Sequence, residues 1–378
     1  MTYSSFSSHR SMVFDDHRNR LYREAILAAI TPESVVLDLG AGVGTLGLLA
    51  AAAGAKRVYL VEPEPIVNIA GELARANRLG DRVHILQGRI EDVSLPEQVD
   101  VILSVFTGNL LYSEDLLPAL FHARDKYLKP GGILIPDGAE LILAPISAPE
   151  LHDKYIGCWA KSNQGLDFSP ARRFAANEIW WPTRQELAGL VLLGQGQRVT
   201  GIDLKQGSSA DCNGEINCPI TATETCHGVL GWIRIRLGQE WLSSGPDGPE
   251  VHWTPAVFPL DPPLPVSVGD EFQLRLQRPA LGDWTWTADT GSSTRRHSTF
   301  LARSDGIKRL KRLSPEHRPG LNRQGEIQFR ALEAFKCGAS NREAIEVLTR
   351  TQSPMEIDEA RQLVQVLALR FGHRGEET

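Results

Sequence analysis

The chain has 378 residues, more than the roughly 100–200 of one ordinary domain, so two or three domains and a sizeable core are expected. A net charge of −6 argues against a dedicated nucleic-acid binder, and the lack of a run of about 18 apolar residues, or of a cationic and apolar leader at the start, predicts a soluble cytoplasmic protein with no membrane partner. Five cysteines do not describe a disulfide framework, and Cys212, Cys218 and Cys226-His227 keep no C-x-x-C spacing, so no metal site is expected.

Residues 1–30 carry Met12, Leu21, Ile26 and Ala29 at helical spacing and stop before Thr31-Pro32, which predicts helices that cap a sheet. Residues 35–47, VVLDLGAGVGTLG, read as a buried parallel strand with one carboxylate, Asp38, followed by a turn through Gly40, Gly42 and Gly44 into a helix. Glycines let the backbone approach a ligand closely, and the free N–H groups opening a helix favour a carboxylate or phosphate. That motif alone leaves a dinucleotide, S-adenosylmethionine and a mere tight turn open. The next strand, RVYLVE, ends on Glu62, where an acid can accept two ribose hydroxyls. After the third strand, Ile90 and Glu91 offer a backbone N–H and a carboxylate for an adenine edge, which favours a methyltransferase over a dinucleotide enzyme. Strands alternate with helices to about residue 146, the pattern of a doubly wound parallel sheet whose ligand lies beyond the strands' carboxyl ends.

After Pro149 short β-like runs separated by Gly and Pro predict an antiparallel sandwich or barrel to about residue 303. A basic, proline-interrupted linker follows, read as solvated rather than as a nucleic-acid patch because no aromatics interleave. It leads to three short helices, one opened by a Ser340–Glu343 capping box, which form either a plain bundle or a winged-helix module. The division expected is therefore 1–30 (covering helices), 31–147 (Rossmann-like domain), 148–303 (β-barrel-like substrate domain) and 304–378 (linker and helical module).

Over residues 3–288 the chain resembles the protein arginine methyltransferases. HRSMVFDDHRNRLYREAI is similar to the family's cofactor-covering helix, ARDKYLKPGGILIPD to its phrasing after the fourth strand, and EVHWTPAVFPLDPPLP to its Thr-His-Trp loop, with Val251 in place of the threonine. The resemblance implies S-adenosylmethionine as cofactor, held by Tyr3, Phe6, Met12, Arg18 (toward the methionyl carboxylate), Glu62 and Glu91. It implies an Asp15–His252 pair beside Trp253. It also places a dimerisation arm near residues 165–190, where Trp180-Trp181 lie, and hence a homodimer.

The sequence departs from the family at the acceptor. The family sets two glutamates nine residues apart after the fourth strand; here the second is Glu114, but the first position is Val105, and Phe106 and Thr107 replace a tryptophan and a methionine. A guanidinium is best held by bidentate carboxylate contacts, so the acceptor is left as a nitrogen or oxygen on a peptide, protein or specialised metabolite. Glu114, His252 and Asp15 are the expected catalytic groups, with Val105, Phe106, Thr107 and Trp253 against the acceptor. A true arginine methyltransferase with a modified loop and a catalytically silent cofactor-binding scaffold are the alternative readings.

Overall fold

Two helices open the chain, α1 (Phe6–Val13) and α2 (Asp16–Ala29). They are separate because Asp15 leaves helical geometry to cap α2, its carboxylate accepting the Arg18 backbone N–H at 2.9 Å and satisfying a donor the helix cannot. The computed structural model describes residues 6–350 and 355–372, and the chain divides into two units, residues 1–304 and 305–378. Tyr3 lies outside the described residues.

In the first unit β1 (Val35–Leu39), β2 (Arg57–Glu62), β3 (Val83–Gln87), β4 (Val99–Ser104) and β5 (Leu128–Ile135) form a parallel sheet in the order β3-β2-β1-β4-β5. Crossovers run through α3 (Thr45–Ala52), α4 (Val67–Ala76) and α5 (Leu117–Tyr127). Every residue of β1 is buried, as a central strand covered on both faces requires. The strand order reverses between β1 and β4, which opens a crevice at their carboxyl ends. Tyr22 pins α2 over that crevice by donating its hydroxyl to the Ser104 carbonyl at 2.9 Å.

The apolar stretch GGILIPDGAELILAPIS is two strands rather than one. The chain breaks at Pro136-Asp137, and β6 (Gly138–Ser147) leaves the parallel sheet to pair antiparallel with β10 (Glu224–Leu237), from Gly138↔Arg236 to Ile146↔Gly228. Residues 138–147 therefore belong with the β-rich part of the chain; apolar patterning reports burial but not the partner strand. Helices α6 (Pro149–Tyr155), α7 (Arg172–Ala175) and α8 (Arg184–Leu187) and strands β7 (Val191–Leu192), β8 (Gln197–Asp203), β9 (Cys212–Pro219), β11 (Glu240–Ser243) and β12 (Ala256–Val266) intervene or follow. With β13 (Glu271–Arg278), β14 (Thr285–Asp289) and β15 (Thr294–Ser298) they complete two antiparallel sheets in a β-barrel-like arrangement. Phe258 and Trp286, both fully buried, pack edge-to-face between β12 and β14 with ring centroids 5.5 Å apart, and the indole N–H donates to the Pro259 carbonyl at 2.8 Å.

The second unit contains α9 (Gly306–Leu313), α10 (Arg323–Lys336), α11 (Asn341–Thr349) and α12 (Ile357–Phe371). Ala331, Ala344, Leu348, Ala360, Val364 and Leu367 make its small core. Ser340 and Glu343 form the capping box read from the sequence. Among the described residues this unit has helices and no strand, so those residues form a helical bundle. None of the described helices is long and apolar enough to cross a membrane.

Candidate active site

A cavity of about 330 Å³ lies where β1, β2 and β4 end, under α1 and the start of α2. The glycine turn forms its floor. Gly40 and Gly42 have φ of +69° and +55°, in the left-handed region, and a Cβ would fall 2.2 Å from the Phe106 ring at Gly40 and 2.8 Å from the His9 ring at Gly42. Conformation and close packing thus both demand glycine there. Gly44 sits just behind the wall, as the N-cap of α3.

Two buried carboxylates and one buried guanidinium face this space. Asp38 accepts the Gly47 N–H at 2.7 Å, and burial, aided by the neighbouring Glu62 charge, pushes its carboxyl up to about 7 against the pull of that N–H and of Arg18. Glu62 accepts the N–H groups of Gly42 and Glu64, both at 3.0 Å; burial raises its pKa, with the two N–H groups opposing. Arg18 is 2% exposed. Its Nε donates to Asn19 Oδ1 at 3.1 Å, whereas its buried Nη1 has no hydrogen-bond partner among the described residues. A buried donor without a partner is costly, so an anionic group is what this corner fits. Glu62, with about four acceptor positions of which two are used, retains capacity for hydroxyl donors.

The remaining wall comes from two loops. After β4, Val105, Phe106, Gly108 and Glu114 line the cavity; from the loop before β12 come His252 and Trp253. Asp15 Oδ2 accepts both the His252 backbone N–H (2.8 Å) and Nδ1 (2.9 Å). Burial lowers the His252 pKa and outweighs the pull of Asp15, so the ring is neutral at neutral pH. Burial works to raise Asp15, but the hydrogen bonds from His252 and Arg18 prevail and hold it below the ordinary value. A neutral imidazole whose Nδ1–H is held by a carboxylate presents Nε2 as a base. Trp253 packs on that ring with centroids 4.5 Å apart.

Of the residues expected from the sequence, the structure brings Met12, Arg18, Asp38, Gly40, Gly42, Glu62, Val105, Phe106, Glu114, His252 and Trp253 onto one cavity, with Asp15 behind His252. Ile90 is buried and Glu91 reaches toward Arg89 (3.5 Å), both off this wall. Thr107 is buried behind it, and Phe6, at 61% exposed, faces outward. Sequence reasoning missed His9, Asn109 and the Asp115–Arg278 pair. Arg278 donates to Asp115 from both Nη atoms, at 2.7 and 2.6 Å, and anchors the loop after β4 to β13. A signal existed for this pair: the alternation of EFQLRLQR puts Arg278 on the buried side of its strand, where a cation needs an acid.

Comparisons with known proteins agree with this geometry. Residues 36–132 match the family described as Methyltransferase domain and residues 137–282 that described as Arginine methyltransferase oligomerization subdomain, the two meeting near the β5–β6 break. The chain is 33% identical over 279 residues to protein arginine N-methyltransferase 1 of Schizosaccharomyces pombe, covering 71% of this chain and 81% of that protein. It is 33% identical over 298 residues to protein arginine N-methyltransferase 6 of Xenopus laevis, covering 75% and 84%. Among solved structures, a chain of the Trypanosoma brucei PRMT1 enzyme–prozyme heterotetrameric complex with AdoHcy superimposes with a TM-score of 0.71 at 26% identity, covering 79% of this chain and 99% of that one.

Proposed function

This chain belongs to the protein arginine methyltransferase family, and from that premise we propose that it moves the methyl group of S-adenosylmethionine to a guanidino nitrogen of arginine in a peptide or protein. The observation that carries the reading is the convergence of Glu114 and the Asp15-held His252 on the cavity that also contains Arg18, Glu62 and the glycine turn. Arg18 takes the methionyl carboxylate through Nη1, and Glu62 accepts ribose hydroxyls. Met12 packs against the cofactor, and Phe106, with Val105 and Trp253, lies against the acceptor. Ile90 and Glu91 follow β3, beside the strand end that carries Glu62, and are assigned the adenine edge.

The cofactor supplies a sulfonium methyl that is already electrophilic, so the protein's task is to align the acceptor, exclude water and take a proton. Glu114 hydrogen-bonds the guanidinium and balances its single positive charge. His252 Nε2 accepts the proton that the alkylated nitrogen sheds, and Asp15 stabilises the resulting imidazolium. Val105 leaves one carboxylate facing the cavity from the loop where the family has two; the site thus keeps charge balance but loses bidentate grip, which predicts weak peptide binding rather than a blocked reaction. Label transfer from S-adenosylmethionine to an arginine-containing peptide tests the proposal: label that persists when lysine replaces every arginine contradicts it.

The arm after α6 supports a homodimer. Leu166, Phe168 and Trp181 are exposed there while Trp180 is buried in the core, and exposed apolar side chains suit a protein interface, within the stretch that matches the oligomerization subdomain.

The Asp38 carboxyl gives a pH dependence to cofactor binding. Its value near 7 lies far above the ordinary one, so at pH 6 it is mostly protonated. A cation in the cavity favours the carboxylate and lowers that value, so binding releases protons and affinity rises with pH. Calorimetry is expected to give S-adenosylmethionine tighter binding at pH 8 than at pH 6, by up to roughly tenfold. S-adenosylhomocysteine, which lacks the sulfonium charge, should change less; equal slopes for the two would refute the assignment.

A further inference from the structure

We propose that Asn109 is a positioning residue that fixes Glu114 relative to His252; the inference rests on the reading that these two groups serve the acceptor. The loop after β4 has an unusual backbone: Gly108, Leu111 and Asp115 all have φ between +50° and +59°. Non-glycine residues adopt this region only when surrounding contacts hold them. Asp115 secures the far end through Arg278. At the near end, the Asn109 side-chain carbonyl accepts the Thr254 backbone N–H at 2.9 Å, a bond that crosses 145 positions of sequence. Thr254 lies two residues after His252, so this bond ties down the histidine loop on the side that Asp15 does not.

The Asn109 backbone N–H points the other way and donates to Glu114 Oε1 at 3.4 Å. Glycine at 108 makes this possible, because a Cβ there would fall 2.4 Å from that same oxygen. One residue therefore touches both halves of the acceptor wall, its main chain holding the carboxylate and its side chain the histidine loop. Alignment errors of about 1 Å are enough to cost about 100-fold in rate, so the clip acts on turnover rather than on cofactor binding.

The test compares the full-length protein with Asn109→Ala and Asn109→Asp, using initial rates with an arginine-containing peptide. Asn109→Ala is expected to lower kcat by about 10- to 100-fold, with KM for S-adenosylmethionine and the melting temperature unchanged. Asn109→Asp keeps an oxygen for the Thr254 N–H and should recover kcat to within about threefold of the wild type. Equal loss in both variants, or no loss in either, overturns the inference while wild-type arginine transfer leaves the proposed function standing. A wild-type protein that binds S-adenosylmethionine but labels no arginine overturns both.

Discussion

Glu114→Gln is expected to lower the rate of methyl transfer by about 10²- to 10⁴-fold and to leave affinity for S-adenosylhomocysteine within about twofold. Glutamine has the same shape and its amide oxygen can still accept the Asn109 N–H, so the loop should keep its form. What it lacks is the charge. A guanidinium brought out of water needs a counter-charge and an acceptor on the same group, and with Val105 at the other loop position Glu114 is the carboxylate that this loop turns to the cavity, Asp38, Glu62 and Glu64 lining it from the glycine-turn side. Asp15 lies behind His252 and off the cavity wall, and three of its roughly four acceptor positions are used by His252 and the Arg18 backbone. Initial-rate kinetics together with calorimetric titration separate the two effects. A loss of less than about tenfold would mean that the acceptor is held elsewhere.

The second large effect is at Arg18. Arg18→Ala is expected to weaken S-adenosylhomocysteine binding by about 3–5 kcal/mol, the usual cost of removing one partner of a buried ion pair. Arg18→Lys should fall between, since it keeps the charge but not the planar fork. The same substitution should not destabilise the cofactor-free protein. Burial lowers the Arg18 pKa, and Nη1 has no hydrogen bond among the described residues, so the side chain is a cost that ligand binding offsets. Melting temperatures with and without S-adenosylhomocysteine should therefore diverge in the wild type and converge in Arg18→Ala. A variant that loses stability equally with and without ligand would make Arg18 structural.

The cofactor half of the site was legible in the sequence because its determinants are local. Glycines must follow a buried strand for the backbone to turn left-handed against a ligand, and an acid must end the next strand, so Gly40, Gly42 and Glu62 declare themselves by position alone. The acceptor half depends on long-range pairing. Asp15 and His252 are 237 positions apart, and only the family resemblance joined them. Asn109 and Asp115 lie in a loop whose left-handed residues are set by tertiary contacts, so no local propensity announces them. The assignment of residues 138–147 to the parallel domain failed for the same reason: an apolar strand buried on both sides reads alike in either sheet. Thr107 sits in the loop with Val105 and Phe106, yet its turn carries it away from the cavity.

The most direct measurement is tandem mass spectrometry of an arginine-containing peptide after incubation with the protein and S-adenosylmethionine. Methyl groups on the arginine guanidino nitrogens, absent with Glu114→Gln, are the predicted result. Methylation at another residue, or none while S-adenosylhomocysteine still binds, would contradict the assignment of Glu114 and His252 to an arginine acceptor.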